Sequence, residues 1–232
     1  MAFKVIVDGK PCSGKTTLSK EAERILPTEG ITAIDAKSYA IEKGFMSGLL
    51  KRFSEGEIDS YRTLAYSATY HILSYVALEQ SAWKNGSKYD VVILQRSPYA
   101  FSFMIEAAKS VSGKESKYEQ SSLLYGLLKA WAGVVKPDLF IYLTADRETL
   151  RERFKHRPDG RDRVHAKMIE EDDSRHIQLL RGYMHNDLHV IENNSSIKEG
   201  AERVAEAIIK AYSMDKPHTK LQSSAQYAEK HQ

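Results

Sequence analysis

Residues 8–17 read DGKPCSGKTT and follow directly on the apolar run FKVIV, residues 3–7. Gly9, four further residues, then Gly14, Lys15 and Thr16 satisfy the spacing G-x-x-x-x-G-K-[ST]. The stretch lies between a strand-like run and an amphipathic pattern carried by Leu18, Ala22, Ile25 and Leu26. Gly9 and Gly14 let the main chain curl closely around an anion. The loop from Gly9 through Lys10, Pro11, Cys12, Ser13, Gly14, Lys15 and Thr16 to Thr17 turns its N–H groups inward. The helix opening near Gly14 adds the positive end of its dipole, Lys15 adds a full charge, and the Thr16 hydroxyl is placed to ligate magnesium. The loop is read as the cradle of a nucleotide's phosphate tail, with ATP and Mg2+ as cofactors.

The runs ITAID (31–35), DVVIL (90–94), DLFIYL (138–143) and LHVIE (188–192) repeat this strand character, mostly without alternation, which suits a parallel sheet covered on both faces. Amphipathic segments separate them at about 15–26, 60–83, 98–110, 119–134, 147–155, 166–184 and 197–212. The class is therefore α/β. Ser196 and Glu199 form a capping box for the last helix, and Pro137 ends the helix before the fourth strand. Residues 1–213 are read as one domain and 214–232, polar and aperiodic, as a mobile tail.

The net charge of +3 argues against a dedicated nucleic-acid surface, and no apolar stretch approaches a membrane span. The N-terminus lacks a signal-peptide pattern, so a cytoplasmic location is expected. The single cysteine, Cys12, rules out an intrachain disulfide.

In a parallel sheet of this kind, ligands bind outside the carboxyl ends of the strands, which directs attention to Asp35 and to Gln95, Arg96 and Tyr99 in QRSPY. Arginine is the natural bidentate partner of phosphate, and Arg96 follows a buried strand beside the phosphate loop. Asp35 is read as a base, as a holder of magnesium-bound water, or as a cap for the turn before Ser38. After the fourth strand, ETLRERFKHRPDGRDRVH sets Arg153 and Arg157 four apart on one helix face. Pro158 and Gly160 then break the helix, and Arg161 and Arg163 continue beyond. This is read as a positive lid at about 153–165, suited to neutralising a migrating phosphoryl group. Arg147 and Arg151 are read instead as a solvated face laced by Glu148 and Glu152.

These motifs together resemble the nucleoside monophosphate kinases, thymidylate kinase most closely, over nearly the whole chain to about Tyr212. The resemblance implies a P-loop fold with a five-stranded parallel sheet, helices on both faces and an arginine-rich helical lid. It also implies transfer of the terminal phosphate of ATP to a nucleoside monophosphate, often by a homodimer. By this resemblance Lys15 and Thr16 match the loop, Arg96 matches the arginine that holds the acceptor phosphate, and Arg153, Arg157 and Arg163 match lid positions. Tyr66, in TLAYSATY, falls where the family sets an aromatic ring on the base. Tyr70, Gln95 and Tyr99 complete the acceptor site. The chain departs from thymidylate kinases at Pro11 and Gln95, where they have Asp, and at Tyr70, where they have Arg. QRSPY is also similar to the ERS segment of deoxynucleoside kinases, and the KP of the loop to adenylate kinases.

Two other functions are weighed. A deoxynucleoside kinase must activate a neutral 5'-hydroxyl and benefits from a carboxylate base, whereas a monophosphate is already ionised. A nucleotide-binding switch would bind without phosphorylating a small molecule, but the chain carries no guanine-reading N-K-x-D element. The surplus of arginines favours the anionic acceptor.

Overall fold

The structure, a computed structural model, describes residues 2–42, 88–100, 136–157, 163–184 and 188–215, with single positions 103, 107 and 126. Five strands, β1 (Phe3–Gly9), β2 (Ala33–Asp35), β3 (Val91–Gln95), β4 (Leu139–Thr144) and β5 (Leu188–Glu192), form one parallel sheet in the order β2-β3-β1-β4-β5. Every strand-like run seen in the sequence is a strand. β1 lies centrally, with Val7 beside both Gln95 of β3 and Ile141 of β4. The chain leaves β1 toward β2 on one side and later crosses to β4 on the other, so a crevice opens at the carboxyl end of β1.

Side chains of β1, β3 and β4 serve two cores in turn, because successive residues of a strand face opposite ways. Val5, Val7, Ile93, Ile141 and Leu143 pack with Leu18, Ala22, Val204 and Ile208 of α1 (Lys15–Ile25) and a long helix, Ile197–Asp215. Ile6, Leu94, Phe140 and Tyr142 pack on the other face with Tyr39, Val164, Met168 and Leu180. Those residues belong to α2 (Ala36–Glu42), α4 (Arg163–Glu170) and α5 (Asp173–Met184). α3 (Arg147–Lys155) precedes α4, and the long helix is α6. Full burial of a side chain such as Phe140 is worth roughly 1.5–3 kcal/mol. β5 departs from the expectation of two covered faces: His189 and Val190 are exposed, since β5 is the edge of the sheet among the described residues.

Local signals account for the helix ends. α1 tightens into a 3-10 turn, Leu26–Glu29, entered at Pro27, and stops where Gly30 takes a left-handed φ of 74° and returns its N–H to Pro27. The capping box at α6 is formed reciprocally: Glu199 N donates to Ser196 Oγ at 3.3 Å and Ser196 N to Glu199 Oε2 at 3.2 Å. The expected helix at 166–184 is instead two, broken at Glu171 and Asp172, where the Asp172 carboxylate accepts Ser174 N and caps α5. The charge of Glu148 acts on Arg151, and Arg147 and Arg151 both pair with Glu170 of α4. Arg151 makes a fork of 2.7 and 2.5 Å, because α3 packs against α4 and brings that carboxylate within reach. α6 continues to Asp215, and 216–232 lie outside the described residues, as do 158–162 of the expected lid.

Candidate active site

The phosphate loop depends on two glycines. Gly9 has φ 142°, and a side chain there would run into the carbonyl oxygen of Leu143. Gly14, at φ 99°, caps α1 without any side-chain hydrogen bond, and a Cβ would stand 2.5 Å from Asn193 Nδ2. The helix therefore presents its first turn to an anion instead of to a capping side chain. Cys12 bends the loop at φ 65°, and Asn193 secures it by donating from Nδ2 to Ser13 O at 2.8 Å.

Lys15 folds back onto the loop, its Nζ donating to Gly9 O at 2.7 Å and Lys10 O at 2.5 Å. Burial lowers its pKa to about 7, with the charges of Arg96 and Arg157 contributing and Asp8 opposing them. An arriving polyphosphate restores the ordinary value, so binding above pH 7 requires a proton. At pH 8 the uptake of about one proton per magnesium ATP is expected by this linkage, read by calorimetry in buffers of different ionisation heat. Uptake indistinguishable from zero at pH 8 would contradict the cationic contact.

A buried polar chain leads from the loop to the second strand. Asp35, at 0% exposure, is acceptor-only when ionised, so Gln95 must offer its amide N–H, which it does at 2.8 Å. The Gln95 carbonyl oxygen then faces Thr16, whose hydroxyl donates to it at 2.8 Å. With its proton committed, Thr16 Oγ1 keeps its lone pairs for a cation. This suits Mg2+, which takes few protein oxygens and completes its shell with phosphates and water. No group of three or more acidic, His or Cys side chains able to hold a metal occurs among the described residues. The other Asp35 oxygen accepts Ser38 N at 2.9 Å, so of the three readings of this residue the hydrogen bonds match the cap.

Asp8 and Ser97 were not singled out in the sequence, although a carboxylate ending an apolar strand was there to be noticed. Asp8 is buried, accepts Gly9 N at 2.7 Å and Ser97 N at 2.9 Å, and also binds the Ser97 hydroxyl. It thereby ties the phosphate loop to the turn after β3. That turn holds Arg96 at φ 69°, a left-handed conformation costing a non-glycine residue about 1–2 kcal/mol, sustained here by the flanking bonds. Lys37 is a second addition, a cation two residues beyond β2. Burial lowers its pKa, as does the charge of Arg96 and, less, those of Lys20 and Arg157. Lys15, Lys37, Arg96 and Arg157 thus share one field at the crevice.

Of the residues expected in the lid, Arg153 reaches the loop and the end of β5 together, donating to Cys12 O at 3.4 Å and Asn193 O at 2.9 Å. Arg157 Nη1 lies 3.7 Å from Cys12 Sγ. Arg163 is exposed at the start of α4. Thr17 is exposed in the first turn of α1, Pro11 is buried, and Tyr99 packs against the core beneath the crevice. Lys10 turns its side chain away from the cradle, toward Glu171 and Asp173. Tyr66 and Tyr70 lie outside the described residues.

A phosphate-binding loop on β1, a cation-lined crevice and a parallel sheet of this order define a P-loop nucleotide-binding protein. The sequence pattern of the AAA domain family matches residues 5–178, and the chain belongs to that family. No curated protein matches it in sequence. In fold it is similar to a deoxyadenosine kinase from M. mycoides with bound dATP, at 13% identity and a TM-score of 0.54, over 89% of this chain and 99% of that one. No helix among the described residues is long and apolar enough to cross a membrane.

Proposed function

We propose that the chain is an ATP-dependent nucleoside monophosphate kinase that transfers the terminal phosphate of ATP to thymidylate. The observation that carries this reading is the gathering of Lys15, Lys37, Arg96 and Arg157 in one field while the nearby carboxylates, Asp8 and Asp35, are buried in hydrogen bonds. Such a crevice serves two phosphorylated ligands. Lys15 follows the terminal phosphates of ATP, Arg96 grips the acceptor phosphate, and Arg153 and Arg157 extend positive charge over the loop. Thr16 would hold Mg2+ through its hydroxyl oxygen, and the ion would supply charge neutralisation to the transferred phosphoryl group. An anionic acceptor attacks without surrendering a proton, so the absence of a free carboxylate among the described crevice residues suits it.

The likeness in fold to a deoxyadenosine kinase keeps a deoxynucleoside acceptor as the second reading, with Asp35 as its base. That base would first have to leave Ser38 N and Gln95. A screen of the common nucleosides and monophosphates against magnesium ATP separates the two. Turnover with thymidylate is expected; turnover confined to nucleosides would replace the first reading with the second, and no acceptor-dependent turnover would remove both. Cys12 gives an independent check of the loop. Bound magnesium ATP should slow labelling of its thiol by roughly tenfold or more, in proportion to site occupancy. Equal labelling rates at saturating nucleotide would place the phosphates elsewhere.

A further inference from the structure

A lysine in a phosphate loop gains most by facing the phosphates, yet the side chain of Lys10 is 5% exposed and faces protein. Its Nζ donates to the main-chain carbonyl of Glu171, just past the end of α4, and lies 3.5 Å from Asp173 Oδ1. The same Asp173 oxygen accepts the Tyr142 hydroxyl at 3.0 Å. That hydroxyl is 3.3 Å from His176 Nδ1, and His176 Nε2 is 3.5 Å from Glu171 Oε2. The contacts close a ring: Lys10, Asp173, Tyr142, His176, Glu171 and back to Lys10. Three separate pieces of chain meet in it, namely the phosphate loop, β4 and the elbow between α4 and α5.

Burial makes this ring sensitive to the loss of any member, because a desolvated ammonium needs its carboxylate and carbonyl. Burial, with the adjacent Asp173 carboxylate, pushes the Tyr142 hydroxyl well above its ordinary pKa, so it stays a donor committed to Asp173. Phe103 stacks on His176 with ring centroids 3.7 Å apart. The hollow beside the ring, lined by Gly9, Phe103, Met168 and Leu180, has room for about one water molecule. The ring is a packed mechanical junction.

We propose that Lys10 and Asp173 are positioning residues that couple the phosphate loop to the α4–α5 elbow, so that nucleotide bound at the loop orders the elbow and, through it, α4, whose first residue is Arg163. Neither touches the reacting atoms. The proposal rests on the kinase reading for its effect on turnover, but its central test does not.

That test is amide hydrogen exchange of the full chain with and without a nonhydrolysable ATP analogue, in wild type, Lys10→Met, Asp173→Asn and the double variant. In wild type the analogue is expected to slow exchange at the loop and at residues 171–176. In each variant the loop effect should persist while the elbow effect shrinks by about threefold or more, the double variant resembling the singles because one junction is lost only once. Where an acceptor is turned over, kcat should fall about tenfold with the KM for ATP within about threefold. If Lys10→Met fails to fold, Asp173→Asn and Tyr142→Phe test the junction from the other side. A wild-type elbow indifferent to the analogue, or elbow protection undiminished in folded variants, overturns the coupling. A KM for ATP that rises as far as kcat falls would instead make Lys10 a phosphate ligand. Wild type without acceptor-dependent turnover removes the kinase reading and leaves the exchange result standing.

Discussion

At pH 7 or below, Arg96→Ala is expected to raise the KM for thymidylate and lower kcat while leaving the affinity for ATP nearly unchanged. Loss of a bidentate charged contact to a desolvated phosphate is worth roughly 2 to 5 kcal/mol, or about 30-fold to several thousand-fold in kcat/KM. Two features of the structure sharpen this. The φ of 69° aims the side chain from a backbone that an arginine does not adopt by preference, and the turn is fixed by Arg96 N to Val7 O and Ser97 N to Asp8. The charge of Arg96 also depresses the pKa of both Lys15 and Lys37, so its removal should raise both. The paired variant is Asp35→Asn, measured on thymidine and thymidylate with circular dichroism as the folding control. Asp35→Asn can keep its bond from Ser38 N but sets an NH2 against the Gln95 amide and so disturbs the bond to Thr16; a loss smaller than that of Arg96→Ala, and equal on thymidine and thymidylate, is expected there. Normal thymidylate turnover by Arg96→Ala would refute the monophosphate reading, and a larger loss in Asp35→Asn would favour a base acting on a hydroxyl.

Lys15→Ala should cost about 100-fold or more in turnover, the scale of one electrostatic contact that strengthens toward the transition state. In the free protein Lys15 Nζ lies on the loop itself, donating to the carbonyls of Gly9 and Lys10. Its removal therefore leaves those two carbonyls without their donor and the loop without its cation for the terminal phosphates. Steady-state kinetics alongside thermal unfolding checks the point: a folded Lys15→Ala protein with near-normal turnover would sink the assignment of the loop.

Much of the fold was readable along the chain because its signals are local. Five apolar runs are five strands, the spacing from Gly9 to Thr16 is a phosphate loop opening α1, and Ser196 with Glu199 caps α6. Each reports on residues a few positions apart, whose periodicity or hydrogen bonding does not depend on what lies across the molecule. The single helix read at 166–184 failed at Glu171, where apolar periodicity resumes in α5 and hides the break.

The partners of the polar side chains belong to the other kind of information. Asp35 reads equally as base, metal holder or cap until β2 and β3 are set side by side and Gln95 reaches it across 60 positions of sequence. Lys10 looks like one more phosphate ligand until the elbow at Glu171, 161 residues away, receives its ammonium. Lys37 carries no signal in the sequence, and its place at the crevice emerges from the burial and the Arg96 charge that lower its pKa. Motif spacing sets what a loop can bind. Which carboxylate is neutralised, which cation is desolvated and which hydroxyl keeps its lone pairs depend on distances between remote segments, and those exist once the sheet has been assembled in the order β2-β3-β1-β4-β5.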